Sequence, residues 1–378
     1  MNKLKSYLTK RNISFALFSL INILFSIKYF SRYTSYYFLL AATVLALHIF
    51  LFYKGDMLKF LVKKNTLINI LVLILFCSGC IYIFHKLPVE SVNVDRWSVI
   101  TSFWDNYFGG EYVYYAKSHM NSYPGPMPFY YILALPFYWL GEIGLFSLAG
   151  IILFYFLMRY TNVKPHYQTI ILLLIMTSPF FLWEVFVRST LFVNSVLILG
   201  SILFFFNLKN YNSFKNQLIL GIIFGLILST RNVYALCYVI LFLYCLKYKK
   251  IDILSTIKMG VIAIAVFALT FVPFVIGHWD DFIKMNPFLI QSSFLMPFEW
   301  VLVAIAGSFC LFFFCKNNYD VIFYSGISLF VAIILHFVYR SISTSIYSSL
   351  IESAADVSYF IMCIPFLLYG MVYDKIEC

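Results

Sequence analysis

The sequence has few charged residues, since Asp, Glu, Lys and Arg together make up only 11% of its 378 residues. An ordinary soluble domain is about one quarter charged and about half apolar. Here 62% of the residues are hydrophobic and the mean hydropathy is +0.88. Because so apolar a chain cannot present a soluble surface, the composition excludes a soluble globular domain and predicts an integral membrane protein.

Carboxylates are especially scarce, with 16 Asp and Glu against 27 Lys and Arg, for a net charge of +11. In a soluble protein this excess would suggest nucleic acid as a partner. The basic residues lie in short loops between apolar runs, however, as the positive-inside rule predicts for a membrane protein. We therefore expect membrane lipids and no nucleic acid among its partners.

Eleven apolar runs predict helices, and a further stretch, 126–160, is long enough for two short helices broken at Gly141 and Glu142. The eleven runs are 12–30, 35–53, 66–84, 167–182, 191–206, 218–229, 233–246, 261–276, 301–315, 321–338 and 357–369. The basic loops between these runs all fall on one side if 126–160 crosses the membrane once. We therefore expect one all-α, polytopic domain over 1–378, with about 12 transmembrane helices and both termini cytoplasmic.

This topology leaves three extracytoplasmic loops, at 85–125, 277–297 and 339–356, and most of the acidic residues fall on their side of the membrane. Acidic residues contribute little to membrane topology, so their concentration there points to binding or chemistry. The first loop is the longest hydrophilic segment. Within it Trp97, Ile100, Trp104 and Phe108 recur at helical spacing, which predicts an interfacial helix.

Several short motifs between 94 and 297 carry a resemblance to a known family. They are Asp95 near the start of the long loop, Gly110-Glu111-Tyr112, Tyr123-Pro124, Ser178-Pro179 followed by Glu184, Arg188 and Asn194, Gly225 followed by Arg231-Asn232, and Pro273-Phe274 leading to Trp279-Asp280-Asp281-Phe282. With these motifs the chain resembles the GT-C integral-membrane glycosyltransferases, in particular the bacterial polyprenyl-phosphate-mannose-dependent mannosyltransferases. The resemblance implies a GT-C-like fold in a bacterial inner or plasma membrane, with an extracytoplasmic active site.

The resemblance also implies a reaction, in which a sugar, mannose by analogy, passes with inversion from a polyprenyl-phosphate donor to a glycan or glycolipid acceptor. Asp95 matches the family's catalytic carboxylate and would act as general base on the acceptor hydroxyl. A phosphate leaving group departs without protonation, so no cofactor is expected. The alternative for Asp95 is the N-cap of a helix that starts near Trp97.

The remaining candidates would bind the substrates. Arg188, Arg231 and Arg340 lie near predicted outer helix ends, where a guanidinium can bind the donor phosphate. Alternatively, each extends to the headgroup layer or pairs with Glu184 or Glu352. The proposed sugar and acceptor contacts are Arg96, Glu111, Tyr112, Tyr123, Trp279, Asp280 and Asp281.

A divalent metal and two other kinds of function are the alternatives. Asp280 and Asp281, with His278 nearby, have the hard ligands that Mg²⁺ or Mn²⁺ prefers, but we favour a solvated loop or helix cap and predict no metal site. A flippase or transporter would also fit twelve spans, although such proteins usually have ionisable residues near the membrane midplane. A polysaccharide polymerase or ligase typically has its large loop late in the chain, whereas here the large loop is early.

Overall fold

The computed structural model describes residues 9–58, 66–294, 297–352 and 355–373. Over these ranges the chain is helical and forms no strand. The α-helices are α1 (Lys10–Phe30), α2 (Tyr37–Lys54), α3 (Thr66–Lys86), α4 (Arg96–Phe108), α5 (Pro128–Trp139), α6 (Gly144–Tyr160), α7 (Pro165–Met176), α8 (Pro179–Phe186), α9 (Leu191–Asn207), α10 (Phe214–Leu228), α11 (Ala235–Lys247), α12 (Ile253–Leu269), α13 (Val272–Val275), α14 (Trp279–Lys284), α15 (Pro287–Phe294), α16 (Phe298–Leu311), α17 (Asn318–Ser343), α18 (Ile346–Leu350) and α19 (Ile364–Gly370). Short 3₁₀ helices include Val113–Tyr115 and Val357–Met362.

Five helices are long and apolar enough to cross a membrane: α1, α2, α3, α17, and α12 continued through α13. Two bent pairs raise the number to seven among the described residues, with α5 and α6 meeting at 113° and α7 and α8 at 67°. Helices α9, α10, α11 and α16 are apolar but shorter. The fold is thus all-helical and compatible with a polytopic membrane protein, while the count of about 12 spans stays a prediction.

The predicted break at Gly141 and Glu142 is confirmed, because α5 ends at Trp139 and α6 begins at Gly144. Gly141 has a φ of +76°, which glycine adopts without a steric penalty. Glu142 then accepts a hydrogen bond from the Gly144 backbone N–H at 2.7 Å. This contact stabilises the start of α6, where backbone donors lack partners within the helix.

Helix α10 packs closely against α12 because it presents glycine at the contact. A Cβ added to Gly225 would lie 2.4 Å from the Ala263 carbonyl oxygen and 2.9 Å from the Val266 Cβ. Small residues allow such close approach between apolar helices, where burial of apolar surface gives little net attraction in lipid. Gly225 therefore sets the position of the end of α10, from which the chain leads to Arg231.

We expect Gly225→Ala to destabilise the protein by about 1–3 kcal/mol, the usual cost of overpacking, because the α12 backbone must move to admit the methyl group. The measurement is the thermal unfolding midpoint of the purified protein. Gly260→Ala, on α12, is the matched control, since a Cβ there meets nothing within 4 Å. An equal drop in both variants would contradict this account of the α10–α12 contact.

Candidate functional site

The site lies at the end of the molecule where the three predicted outer loops meet. Helix α4, from the first loop, is packed into an aromatic layer rather than held apart from the bundle. Phe103 is fully buried and stacks on Tyr131 of α5 at 3.7 Å between ring centroids, and the Trp104 indole N–H donates to the Tyr131 carbonyl at 3.2 Å. This packing fixes the start of α4, and with it Asp95 and Arg96.

Asp95 occupies the N-cap position of α4 but does not cap the helix with its side chain. Its Oδ2 atom instead accepts a hydrogen bond from the Ser118 hydroxyl at 2.9 Å. The other carboxylate oxygen, Oδ1, accepts no hydrogen bond from any residue that the structure describes. The N-cap alternative therefore does not account for this carboxylate, which has one oxygen held and one available.

Ser118 is oriented by its own backbone surroundings. Its hydroxyl oxygen accepts hydrogen bonds from the backbone N–H groups of Met120 and Ser122, at 3.3 and 3.1 Å. Since a hydroxyl has a single proton, these contacts leave that proton to donate to Asp95. The tight turn 118–122 thus fixes the position of the carboxylate.

Arg96, the next residue, is the centre of an ion-pair network. Its Nη1 donates to Glu184 Oε2 at 2.7 Å and to the Ser189 hydroxyl at 2.8 Å, and its Nη2 lies 3.1 Å from Asp356 Oδ2. Nη2 also donates to the Ser358 hydroxyl. The guanidinium therefore joins the first outer loop, α8 and the third outer loop, and we infer that it organises the site rather than contacting substrate alone.

The two carboxylates of this network differ in their surroundings. Glu184 is 2% exposed and its Oε1 atom has no hydrogen-bond partner among the described residues, whereas the Asp356 side chain is 47% exposed. Partial desolvation beside Arg96 tends to raise the pKa of Asp356, but the Arg96 charge and the hydrogen bonds from Ser358 outweigh it and leave that pKa lowered. Asp356 is therefore ionised throughout the neutral range.

Arg231 differs from Arg96 in having no carboxylate partner among the described residues. Its guanidinium carbon lies 5.5 Å from the ring centroid of Tyr130 and 5.8 Å from that of Tyr359. Its Nε–H is buried and without a hydrogen-bond partner in the described part of the chain. A guanidinium held by two aromatic rings, with a donor left over, is suited to bind an anion.

Tyr131 links the surroundings of Asp95, the predicted base, to those of Arg231, which is predicted to bind the donor phosphate. The Tyr131 hydroxyl group is buried without a hydrogen-bond partner among the residues described, and its ring lies 5.3 Å from that of Tyr130, which holds Arg231. Arg96 and Arg231 also share the Tyr359 ring, whose centroid lies 5.5 and 5.8 Å from the two guanidinium carbons. The structure therefore brings Asp95, Arg96 and Arg231 into one cluster, as a common site requires.

Arg188 lies outside this cluster. Arg188 is 1% exposed and points toward the end of α3, where it donates to the Phe84, Leu87 and Phe186 carbonyls at 3.2, 3.0 and 2.6 Å. It pairs with Glu142 at 3.3 Å rather than with Glu184. Arg340 lies in the last turn of α17, one turn beyond His336.

The remaining predicted contacts lie beside the cluster, on the surface where the first two outer loops meet. Tyr112 is buried and donates to the Met285 carbonyl at 2.7 Å, and Tyr115 donates to Asp281 at 3.1 Å. His278 lies 3.3 Å from the same carboxylate. Exposed or half-exposed around them are Glu111, Tyr123, Trp279 and Asp280.

This arrangement bears on the substrate contacts predicted for Tyr112 and Asp281. The Tyr112 ring is not accessible to a sugar, and both Asp281 oxygens are engaged. No group of three or more metal-ligating side chains is found in the described ranges.

Sequence reasoning missed several residues of the site, namely Lys28, Ser118, Tyr130, Tyr131, Asp356 and Tyr359. Lys28 is buried at the end of α1 and its ammonium lies 3.5 Å from the Ala355 carbonyl. A signal for Lys28 was present, since a lysine at the predicted outer end of the first span runs against the positive-inside rule. Ser118 and the tyrosines gave no such signal, because they are of common types in an aromatic-rich chain.

Comparison of the chain with protein-family models, with curated proteins and with solved structures gave no match.

Proposed function

We propose that this protein is an integral-membrane glycosyltransferase of about 12 spans and GT-C-like fold, which transfers a sugar from a polyprenyl-phosphate donor to a glycan or glycolipid acceptor. One observation supports it above the rest: Arg231, which has no acidic partner among the described residues, shares the Tyr359 ring with Arg96, and Arg96 adjoins Asp95, whose carboxylate has a free oxygen. A base and an anion ligand are the two parts that this reaction needs from the protein.

In the proposed reaction the Asp95 Oδ1 atom takes the proton of the acceptor hydroxyl while the oxygen of that hydroxyl attacks the anomeric carbon of the donor sugar. The bond from the anomeric carbon to the phosphate oxygen breaks, and the polyprenyl phosphate leaves with the electron pair. Arg231 stabilises the charge that develops on this phosphate. Arg96 positions the adjoining Asp95 through its contacts with Glu184 and Asp356.

The direct test is a transfer assay with the purified protein in liposomes. Radiolabelled polyprenyl-phosphate mannose and the corresponding glucose and galactose donors are each supplied with a mixture of glycolipid acceptors. Transfer of label to an acceptor from one donor is the expected result. Absence of transfer from all donors, with protein whose Trp fluorescence shows cooperative unfolding, would overturn the proposal.

We expect Arg231→Gln to raise the KM for the lipid donor about ten- to a hundredfold, since a charge-assisted hydrogen bond contributes roughly 1.5–3 kcal/mol. The acceptor KM should change little. Arg159→Gln is the matched control, because Arg159 is exposed in the last turn of α6. Equal effects of the two substitutions on the donor KM would count against a specific phosphate contact by Arg231.

A transporter is the second candidate, and one observation favours it. The hydroxyls of Ser14, Ser19 and Ser26 in α1 are buried without hydrogen-bond partners in the described residues, and the imidazole of His48 in α2 is fully buried. Buried polar groups inside a membrane often belong to a transport pathway. Flux of a lipid-linked sugar across proteoliposomes, abolished by His48→Leu but unaffected by Asp95→Asn, would favour this candidate over the transferase.

A further inference from the structure

A polar recess lies at the end of α17 opposite to the site described above. Helix α17 has 26 residues and is therefore about 39 Å long, with Asn318 at one end and Arg340 near the other. The recess has a volume of about 370 Å³ and is lined by Tyr244, Tyr248, Lys250, Lys316, Asn317 and Asn318, among others. It involves no residue of the Asp95 cluster.

The lining carries two positive charges and no negative charge among the described residues. Lys250 donates to the Asn318 side-chain oxygen at 2.6 Å, and the Tyr244 hydroxyl donates to the same oxygen at 3.2 Å. The Lys316 ammonium forms no hydrogen bond or ion pair within the described ranges. Both ammonium groups and the Asn318 amide N–H groups are thus available as donors to one ligand.

The neighbouring carboxylate does not neutralise this recess. Asp320 is 2% exposed; it pairs with Lys10 and accepts a hydrogen bond from the Lys316 backbone N–H at 2.9 Å. The charge of Asp320 is therefore compensated by Lys10 and does not act on the recess. On one wall of the recess the ring centroids of Tyr244 and Tyr248 lie 5.0 Å apart. Tyr248 is exposed, as tyrosines at the level of lipid headgroups usually are.

We propose that this recess binds a phosphate group, presented by an anionic phospholipid at the membrane surface. Basic residues beside membrane helices are attracted to anionic lipid in general, but that attraction needs only charge. Here two lysines, an oriented amide and a tyrosine wall converge on one cavity. A soluble phosphate compound offers the same chemistry, and the test separates the two sources.

The experiment compares thermal unfolding of the full chain in nanodiscs of three kinds: phosphatidylcholine alone, phosphatidylcholine with phosphatidylglycerol, and phosphatidylcholine with added inorganic phosphate. We expect phosphatidylglycerol to raise the unfolding midpoint, because a ligand that binds only the folded state stabilises it. Lys250→Gln with Lys316→Gln should remove at least half of this shift. A shift produced by inorganic phosphate and removed by the same substitutions would support the phosphate site with a soluble source.

The matched control is Lys209→Gln with Lys215→Gln, which removes the same charge from two exposed lysines, one just before α10 and one in its first turn. This variant should keep the full shift. Equal losses in the two double variants, or no shift in the wild type with either phosphate source, would overturn the proposal. Lys316→Gln alone should leave folding unaffected, because the Lys316 ammonium forms no hydrogen bond or ion pair with a described residue. This single variant should lose a measurable part of the shift.

Discussion

Asp95→Asn should lower kcat for sugar transfer by about 10²- to 10⁴-fold, the range over which a positioned general base contributes. Asparagine has nearly the same shape and its amide oxygen can still accept the hydrogen bond from Ser118. The substitution therefore removes the proton acceptor while it leaves the surrounding loop intact. The measurement is single-turnover transfer from whichever polyprenyl-phosphate sugar the assay identifies as donor.

Asp105→Asn serves as the comparison for this variant, because Asp105 lies on the same helix α4 and accepts a hydrogen bond from the Tyr138 hydroxyl at 2.7 Å. Its kcat should stay within about twofold of wild type. The unfolding midpoints of both variants should remain close to that of wild type, since surface substitutions usually change stability by less than about 0.5 kcal/mol. Full activity in Asp95→Asn would remove the proposed base and leave the helical fold unaffected.

The helical elements could be predicted because each depends on local chemistry. Apolar runs of fixed length define the long helices, and proline at the first turn marks the start of α5, α7 and α8. The apolar run 167–182 predicts one helix, whereas the structure has two, α7 and α8, which meet at a bend of 67°. Ser178 and Pro179 carry the signal for this bend, since Ser178 caps α8 through the Phe181 N–H.

Only part of the site could be predicted from the sequence, because its ion pairs join residues far apart in the chain. Arg96 was proposed as a substrate contact, but its partners Glu184 and Asp356 lie 88 and 260 residues away. Nothing local distinguishes a guanidinium that will find buried carboxylates from one that will not. The sequence favours Arg231 over Arg188, because Arg231 lies between two apolar runs with almost no loop, but it does not show that backbone carbonyls engage Arg188.

The Arg96 network yields the largest expected effect on stability. Removing one partner of a buried ion pair costs roughly 3–5 kcal/mol, since it leaves the other charge buried and uncompensated. Arg96→Gln should therefore lower the free energy of unfolding by about this amount, because Glu184 is 2% exposed and loses its ion-pair partner. Glu184→Gln should cost less, as Arg96 still has Asp356 beside it.

A double-mutant cycle separates this pairing from simple loss of packing. If the ion pair accounts for the loss, Arg96→Gln combined with Glu184→Gln should be more stable than the sum of the single effects predicts, by about 0.5–3 kcal/mol. Additive losses would mean that the two side chains act independently. Asp281→Asn, which breaks a half-exposed pair with His278, should cost less than about 1 kcal/mol and sets the scale for a pair in contact with water.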